Sequence, residues 1–257
     1  GKEPAILFGV RLDENEHMVL QYPERRWRGL EETILPLGIG TIWMGREWPE
    51  GDSSYTEPSA SEIERILNGG FDFTAGSIDR LMIDTAAGYG HSEQHLGGYF
   101  RSHPSAFARA LIGTKWGVRF DPETGQSTLD HSVNNLNVSL ANSLAHLGRV
   151  DIFYIHGTTS EVLRDGSVWA RMREIKEKGE GGIQFLGVSL SNRNAESVLT
   201  ELLTSPYLNL VDVVQMPGET LLHRPDLVSH LESQGIAIVA HSPMRSTAEG
   251  PPVDKYR

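Results

Sequence analysis

The chain has 257 residues, 39% of them hydrophobic and 22% charged, which are ordinary values for a globular protein. Its formal net charge of −11 argues against nucleic acid and anionic membranes as partners. The absence of cysteine excludes disulfides, thiolate zinc sites and a cysteine nucleophile, and it fits a reducing compartment. No apolar stretch is long enough to cross a bilayer. We therefore expect a cytoplasmic protein without nucleic-acid or membrane partners.

The first 30 residues precede the first strand of the main domain and are predicted to form a β-hairpin extension. Apolar runs at 5–12 and 18–22 are its two predicted strands, and the polar residues 13–16 between them are its turn. The sequence therefore divides into a hairpin at 1–30 and a main domain at 31–257.

In the main domain, short apolar runs rich in β-branched residues alternate with segments of helical period. The predicted strands are 34–41, 81–85, 110–115, 150–156, 183–189, 211–215 and 236–241. The predicted helices are 61–67, 133–147, 168–178 and 195–203. Strict alternation predicts parallel strands joined by crossover helices, and a domain of this length suits a (β/α)₈ TIM barrel.

The spacing of these strands also predicts how the barrel closes. Extrapolated along the chain, an eighth strand would be due at about residue 265 or later, because a βα unit takes roughly 25–40 residues. We therefore expect a barrel that lacks its last βα unit, with 34–41 and 236–241 as open edges.

Polar side chains stand at the C-terminal ends of six predicted strands. They are Asp84, Lys115, His156, Ser189, Gln215 and His241. One polar strand end is explained by exposure, but six in succession indicate a function. In an α/β barrel the C-terminal rim is where the active site is built, so we expect these side chains to converge there.

Four residues at this rim have the chemistry of a proton-transfer site. Asp84 leaves one strand and Tyr89 follows five residues later in a glycine-flanked turn, while Lys115 and His156 end two further strands. A nearby ammonium favours the tyrosinate and lowers the tyrosine pKa, and a carboxylate keeps the ammonium charged. A histidine can donate a hydrogen bond to a substrate oxygen. Each residue alone also has a structural explanation, such as a turn cap for Asp84, and only the combination indicates catalysis.

Other motifs give weaker or negative indications. The spacing of Gly38, Gly40 and Gly45 does not match the dinucleotide fingerprint, so a Rossmann site is not expected. His91, Glu93 and His95 depart from the zinc-protease motif, and no metal site is predicted. The polar stretches 45–57 and 117–128 read as loops. Tryptophans follow several strand ends, where they would either line a substrate mouth or pack in the core; they are Trp43, Trp48 and Trp116.

In its order of motifs the sequence resembles the aldo-keto reductase family. The matching pieces run from about residue 35 to 244 and include Leu37-Gly38-Ile39-Gly40-Thr41, Asp84 to Glu93, Gly113-Thr114-Lys115, Asp151 to His156, Leu186-Gly187-Val188-Ser189, Val214-Gln215 and Ser242-Pro243. The resemblance implies a TIM barrel that interconverts a small carbonyl compound and the matching alcohol with NADPH or NADH. It implies Tyr89 as the acid, Asp84 and Lys115 as the residues that adjust the pKa of Tyr89, and His156 as the group that orients the carbonyl.

The resemblance also implies the residues that bind the cofactor. Ser189 and Gln215 would hold the carboxamide, and Gly40 and Thr41 would lie near the nicotinamide ribose. His241, followed by Ser242, stands where the family commonly has a tyrosine that stacks on the nicotinamide. The implied cofactor-binding residues are thus Gly40, Thr41, Ser189, Gln215, His241 and Ser242.

Several departures from the family pattern leave alternatives open. Leu190 replaces a frequent asparagine, and the stretch after Gln215 reads Met216-Pro217-Gly218-Glu219. The family's eighth strand and following helix, which bind the adenosine phosphate, have no counterpart here. The same four residues could instead catalyse a non-redox lyase, dehydratase or isomerase reaction. A non-catalytic subunit of the same fold is the third possibility.

Overall fold

The structure is a computed structural model that describes residues 9–12, 18–21, 27–46, 57–73, 79–121 and 123–242. Its strands are, in chain order, β1 (Gly9–Leu12), β2 (Met18–Gln21), β3 (Ile39–Gly40), β4 (Leu81–Asp84), β5 (Ala110–Trp116), β6 (Val118–Asp121), β7 (Gln126–Leu129), β8 (Ile152–His156), β9 (Phe185–Ser189), β10 (Val213–Pro217) and β11 (Ala237–His241). Its helices are α1 (Ala60–Phe73), α2 (Ser92–Ser102), α3 (Pro104–Arg109), α4 (Val133–Leu147), α5 (Ser160–Arg164), α6 (Gly166–Lys178), α7 (Ala195–Leu203), α8 (Gly218–His223) and α9 (Pro225–Ser233).

Seven parallel strands form the main sheet, in the order β3-β4-β5-β8-β9-β10-β11. The prediction of parallel strands with crossover helices is therefore confirmed. Within the described ranges, β3 and β11 are the two outer strands of this sheet. The N-terminal strands β1 and β2 pair antiparallel with each other, in register from Gly9–Gln21 to Leu12–Met18. The predicted turn between them lies outside the described residues.

The predicted first strand, 34–41, is wrong in extent. Only Ile39–Gly40 pair as a strand, and an isolated bridge joins Ile34 to Arg80 further upstream. The interruption falls at Pro36-Leu37-Gly38, where proline has no N–H to donate to the ladder. The leucine of this segment is exposed, so it leaves the core between the two paired points.

The stretch 117–128 is largely a β-hairpin where a loop was predicted. Strands β6 and β7 pair antiparallel, with Val118 opposite Leu129 and Asp121 opposite Gln126. Side chains alternate between half-buried and exposed along β6, as in a strand that covers the protein with one face only. Because this stretch is rich in polar residues, the alternation was not recognised in the sequence. Helices α2, α3, α5, α8 and α9 were also not predicted.

The helices pack on the outer side of the sheet, where the larger hydrophobic core lies. Helix α4 shows how the sequence sets its bounds and its buried face. Ser132 caps its N-terminus by accepting a hydrogen bond from the Asn135 amide at 3.2 Å, and Gly148 ends it with φ 79°. Leu136, Leu140 and Leu147 of the predicted apolar stripe are buried against the sheet.

A second, smaller core lies on the inner side of the sheet. It comprises Leu30, Ile34, Met82, Leu111, Ile152, Tyr154, Phe185 and Val213. Because strand side chains alternate between faces, residues two positions further along a strand lie on the same inner face. The inner core residues Met82 and Tyr154 are thus followed by the rim residues Asp84 and His156. The apolar interior therefore opens at its carboxyl end into a polar rim.

Two glycines make room for the Tyr154 ring in this interior. A Cβ added at Gly113 would stand 3.1 Å from the ring atom Cε2, and one at Gly187 would overlap the ring on the other side. Both glycines belong to strands that neighbour β8, so the ring spans the inner face between β5 and β9. This packing explains the glycines of Gly113-Thr114-Lys115 and Leu186-Gly187-Val188-Ser189.

None of the helices in the described part of the chain is long and apolar enough to cross a bilayer.

Candidate active site

Lys115 is the centre of the rim. Its side chain is 1% exposed, and its Nζ donates to Asp84 Oδ2 at 2.7 Å, to the Thr85 carbonyl at 2.9 Å and to the Tyr89 hydroxyl at 3.1 Å. The three acceptors match the three protons of an ammonium. The predicted geometry, with Lys115 in reach of both Asp84 and Tyr89, is therefore present in the structure.

The turn that carries Tyr89 is fixed by a close backbone approach. Gly90 has φ 57°, and a Cβ at that position would overlap the Gly45 carbonyl oxygen. The same carbonyl accepts a hydrogen bond from the His91 amide at 2.7 Å. Glycine is required here both for the backbone angle and for space. The contact places the Tyr89 hydroxyl beside Lys115.

The electrostatics of Lys115 and Tyr89 differ from the sequence-based expectation in one respect. Burial disfavours the Lys115 ammonium, but Asp84 and Tyr89 outweigh it and raise the pKa of Lys115 above its ordinary value. Burial also disfavours the charged form of Tyr89, which raises its pKa, and the Lys115 ammonium only partly opposes this. The expected lowering of the tyrosine pKa is thus wrong for this structure, because desolvation exceeds the effect of the neighbouring charge. Tyr89 is protonated at neutral pH and is available as a proton donor.

His156 stands on the other side of Tyr89 and is neutral. The two rings are 5.6 Å apart between centroids and nearly perpendicular at 82°. The imidazole Nδ1 is buried and has no hydrogen-bond partner among the described residues. Its pKa lies well below the ordinary value, first because of burial and then because of neighbouring basic side chains, which are Lys115, His131, His241 and Arg46. A neutral imidazole can donate one hydrogen bond to a substrate oxygen without adding charge.

Ser189 and Gln215 are adjacent and buried, and they are linked to Asp84. Ser189 Oγ donates to Gln215 Oε1 at 2.8 Å, and Gln215 Nε2 donates to Asp84 Oδ1 at 2.9 Å. Strands β4 and β10 are separated by three other strands, which would put them about 19 Å apart in a flat sheet at roughly 4.8 Å per strand. The direct Asp84–Gln215 bond therefore shows that the sheet is strongly curled.

Gly40 and Thr41 lie against Asp84 from the β3 side. Gly40 pairs with Asp84 in the sheet, and a Cβ at Gly40 would meet nothing within 4 Å. The Thr41 side chain is fully buried, donates to the Asp84 carbonyl at 3.0 Å and accepts from Ser92 Oγ at 2.7 Å. The Thr41 hydroxyl is thus occupied by protein groups and supports the rim from behind.

His241 and Ser242 end the described part of the chain at the opposite edge of the sheet. The His241 Nε2 is 2.9 Å from the carbonyl oxygen of Leu190, so this nitrogen carries the proton and donates. Ser242 has φ 50°, an unusual backbone angle for a residue other than glycine. The half-buried His241 ring is therefore held in place beside β9. Pro243 lies outside the described residues.

Several residues near the rim were not predicted from the sequence. The Arg46 guanidinium lies 4.8 Å from the Phe120 ring centroid and donates to Ser127 at 2.9 Å, which ties the turn after β3 to the β6–β7 hairpin. His131 is bonded through Nε2 to the His156 carbonyl oxygen at 2.9 Å. No local motif marks these residues, because their partners are distant in the chain. Trp116 is fully buried and stacks on Phe153, so for this tryptophan packing is the correct explanation.

Glu93, at the start of α2, is a buried carboxylate outside the rim. Its Oε1 accepts from Thr114 Oγ1 at 2.5 Å and from Ser143 Oγ at 2.7 Å, so it joins α2, β5 and α4. Burial raises the pKa of Glu93 despite these hydrogen bonds. No cluster of three metal-ligating side chains occurs in the described ranges, and Glu93 is turned inward, away from a shared face with His91 and His95.

Replacing Glu93 with glutamine is expected to stabilise the protein at alkaline pH. Because the pKa of Glu93 is raised on folding, its contribution to stability is greatest at a pH below its ordinary pKa of 4.5. This contribution is lost as the pH rises through the pKa of Glu93 in the folded state. An amide keeps the acceptor for Thr114 and Ser143 without a buried charge. Glu93→Gln should therefore raise the free energy of unfolding by about 1 kcal/mol at pH 8, with the gain shrinking towards pH 5. Urea unfolding across this pH range measures it.

The exposed Glu177 provides the matched control, since Glu177→Gln removes the same charge without changing a buried site. A pH-independent effect of Glu93→Gln, or a loss of stability at pH 8, would contradict the prediction.

The sequence model of the Aldo/keto reductase family matches residues 36–249, more than four fifths of the chain. The chain belongs to the aldo/keto reductase family. The family membership expected from the motifs is thereby confirmed.

Individual relatives are distant. The chain is 24% identical over 161 residues to the aldo-keto reductase yakc [NADP(+)] of Schizosaccharomyces pombe, a match that covers 61% of this chain and 45% of the relative. This aldo/keto reductase chain thus matches less than half the length of that protein.

Solved structures show the same fold. Glycerol dehydrogenase from Gluconobacter oxydans is similar with a TM-score of 0.66 at 19% identity, covering 90% of this chain and 69% of that chain. An aldo-keto reductase from Bacillus halodurans in its holo form has a TM-score of 0.63 at 20% identity, covering 90% and 70%. At these identities the likeness concerns the fold alone.

Proposed function

We propose that this chain is an NADPH- or NADH-dependent oxidoreductase that reduces a small aldehyde or ketone, or oxidises the matching alcohol. The observation that carries the proposal is the buried Lys115 ammonium, bonded at once to Asp84 and to the Tyr89 hydroxyl. A structural lysine would be exposed or paired with a carboxylate alone. Holding a lysine against a tyrosine hydroxyl in a desolvated rim is the arrangement that stabilises a tyrosinate once its proton has left.

In this proposal, proton transfer follows from the positions of the rim residues. Tyr89, protonated at neutral pH, gives its proton to the carbonyl oxygen, and Lys115 stabilises the oxygen that remains. Asp84 keeps Lys115 charged and in position. His156, neutral and adjacent to Tyr89, donates a hydrogen bond to the same substrate oxygen, so that developing charge is shared between two donors.

The residues proposed for the cofactor fit a carboxamide. A carboxamide offers one acceptor oxygen and one NH₂ donor group. Beyond the hydrogen bonds described above, Gln215 Nε2 retains a second N–H and Ser189 Oγ retains lone pairs, so the buried pair can donate to and accept from such a group. His241 supplies a ring held by Leu190, with Ser242 beyond it, while Gly40 and Thr41 border the site beside Asp84. When bound, the nicotinamide supplies or accepts the hydride.

For the architecture we propose seven strands of a (β/α)₈ barrel, with the β1–β2 pair as an N-terminal hairpin extension over 1–30 and the barrel domain over 31–257. The curl of the sheet and its outer strands β3 and β11 support this. A closing segment would pair between these two strands.

Titration of the purified protein with NADPH and with NADH, followed by quenching of tryptophan fluorescence, tests the proposed function. We expect saturable binding of at least one nucleotide and oxidation of NADPH, followed at 340 nm, in the presence of a small aldehyde such as 4-nitrobenzaldehyde. No binding of either nucleotide at millimolar concentration would refute the redox function and favour a non-redox reaction of the same four residues.

A further inference from the structure

We propose that Gln215 is a positioning residue for Asp84, and that Ser189 helps to hold the Gln215 amide in the orientation that this role requires. The role is distinct from contact with a carboxamide, because it is exerted on a side chain of the proton-transfer group, formed by Asp84, Tyr89, Lys115 and His156. Its catalytic part rests on the proposed function, whereas its structural part can be tested on the protein alone.

The orientation of the Gln215 amide follows from the chemistry of its two neighbours. An ionised carboxylate has no proton to donate, so the 2.9 Å contact with Asp84 Oδ1 requires the amide nitrogen of Gln215 on that side. The amide oxygen then faces Ser189 Oγ at 2.8 Å, and the serine hydroxyl must donate to it. No other assignment of the two amide atoms satisfies both contacts.

The two oxygens of Asp84 are therefore held by different parts of the sheet. Lys115, on the neighbouring strand β5, holds Oδ2 at 2.7 Å. Gln215, on β10 across the curled interior, holds Oδ1 at 2.9 Å. With one oxygen held, the carboxylate could still rotate about its last side-chain bond. With both held, its plane is fixed, and Oδ2 stays aimed at the ammonium that contacts Tyr89.

Burial makes this arrangement effective. Gln215 is 2% exposed and Ser189 is 5% exposed, so little water can replace either hydrogen bond. A hydrogen bond to a charged group in a desolvated site contributes more than one at the surface, and its loss leaves an unsatisfied group behind. A side chain without a donor at position 215 would thus free Asp84 to move away from Lys115.

The first test is thermal unfolding of the cofactor-free protein between pH 5.5 and 8.5. Gln215→Glu puts a second carboxylate against Asp84; the two can share one proton at low pH but repel each other when both are ionised. We expect the melting temperature of Gln215→Glu, relative to the unsubstituted protein, to fall by about 5 °C across this pH range. In the Asp84→Asn background the repulsion is absent and only the burial of the new carboxylate remains, so the same substitution should show a clearly smaller fall.

An equal pH-dependent fall in both backgrounds would overturn the proposal, because the fall would then come from burial of the new carboxylate and not from its contact with Asp84. Should Gln215→Glu fail to fold, Gln215→Met takes its place as an uncharged residue of similar length. Its loss of melting temperature should be at least twofold smaller in the Asp84→Asn background than in the unsubstituted protein, and additive losses would refute the contact.

The second test concerns turnover of 4-nitrobenzaldehyde with NADPH. We expect Gln215→Glu to lower kcat about 10- to 100-fold at pH 8.5 and to recover as pH falls, with KM for the aldehyde nearly unchanged. Ser189→Ala should lower kcat less and keep the pH profile, because the glutamine amide remains. A pH-independent loss would indicate packing alone and overturn the catalytic role.

The two tests separate this inference from the proposed function. Coupling between positions 215 and 84 in unfolding without any turnover would leave the positioning role standing and remove the redox function. Turnover without such coupling would do the reverse.

Discussion

Replacing Tyr89 with phenylalanine is expected to lower kcat for carbonyl reduction by about 10³-fold, the usual contribution of a positioned general acid. The affinity for NADPH should stay within about threefold, because the hydroxyl acts on the substrate oxygen. The fold should tolerate the change, since Lys115 keeps its bonds to Asp84 at 2.7 Å and to the Thr85 carbonyl at 2.9 Å. Steady-state kinetics at 340 nm and fluorescence titration measure the two effects separately.

Tyr99 offers the matched control for this substitution. Its hydroxyl donates to Asn68 at 2.8 Å on the helical side of the sheet, away from the rim. Tyr99→Phe removes the same atom from a buried tyrosine, and kcat should change less than twofold. Parallel loss of NADPH binding and turnover in Tyr89→Phe would show instead that Tyr89 is a structural residue.

Substitution of Gly97 by alanine is expected to be strongly destabilising. A Cβ at Gly97 would overlap the carbonyl oxygen of His146, a backbone atom of α4 that cannot rotate away. Helices α2 and α4 would have to separate, at a cost of about 3 kcal/mol. In a domain of this size that corresponds to a melting temperature lower by about 6–12 °C, measurable by circular dichroism.

The adjacent Gly98 is the control for this prediction. A Cβ there would meet only the tip of the Arg101 side chain, at 3.9 Å. Alanine is a better helix former than glycine by roughly 1 kcal/mol, so Gly98→Ala should raise the melting temperature by about 2–4 °C. A higher melting temperature in both variants would mean that helix propensity, and not the approach of α2 to α4, dominates at this site.

The sequence predicted the central strands well, and the structure brings Asp84, Tyr89, Lys115 and His156 together as expected, while their catalytic role stays a prediction. Apolar runs ending in Asp84, Lys115 and His156 are local signals, and strand alternation does the rest. The predicted helix 195–203 has the bounds that the structure gives to Ala195–Leu203. Where proline and glycine interrupt a run, as at Pro36-Leu37-Gly38, periodicity alone overestimated the strand.

What the sequence could not provide were contacts that depend on the curl of the sheet. Asp84 and Gln215 are 131 residues apart, and nothing in either motif points to the other. The balance between burial and charge at Tyr89 is likewise a tertiary property. A neighbouring lysine suggested a lowered tyrosine pKa, and only the depth of the rim shows that desolvation prevails.

Six rim residues each lie near the C-terminal end of a different parallel strand, so assembly of the site depends on the correct register of these strands. Side chains alternate along a strand, so a slip of one residue turns every side chain to the opposite face. In β5 such a slip would present Thr114 or Trp116 at the rim and push the Lys115 ammonium among the helices. A misregistered chain could remain compact and helical, but it could not assemble the proton-transfer group. Under the proposed function, turnover would report on correct strand alignment in a way that helical content does not.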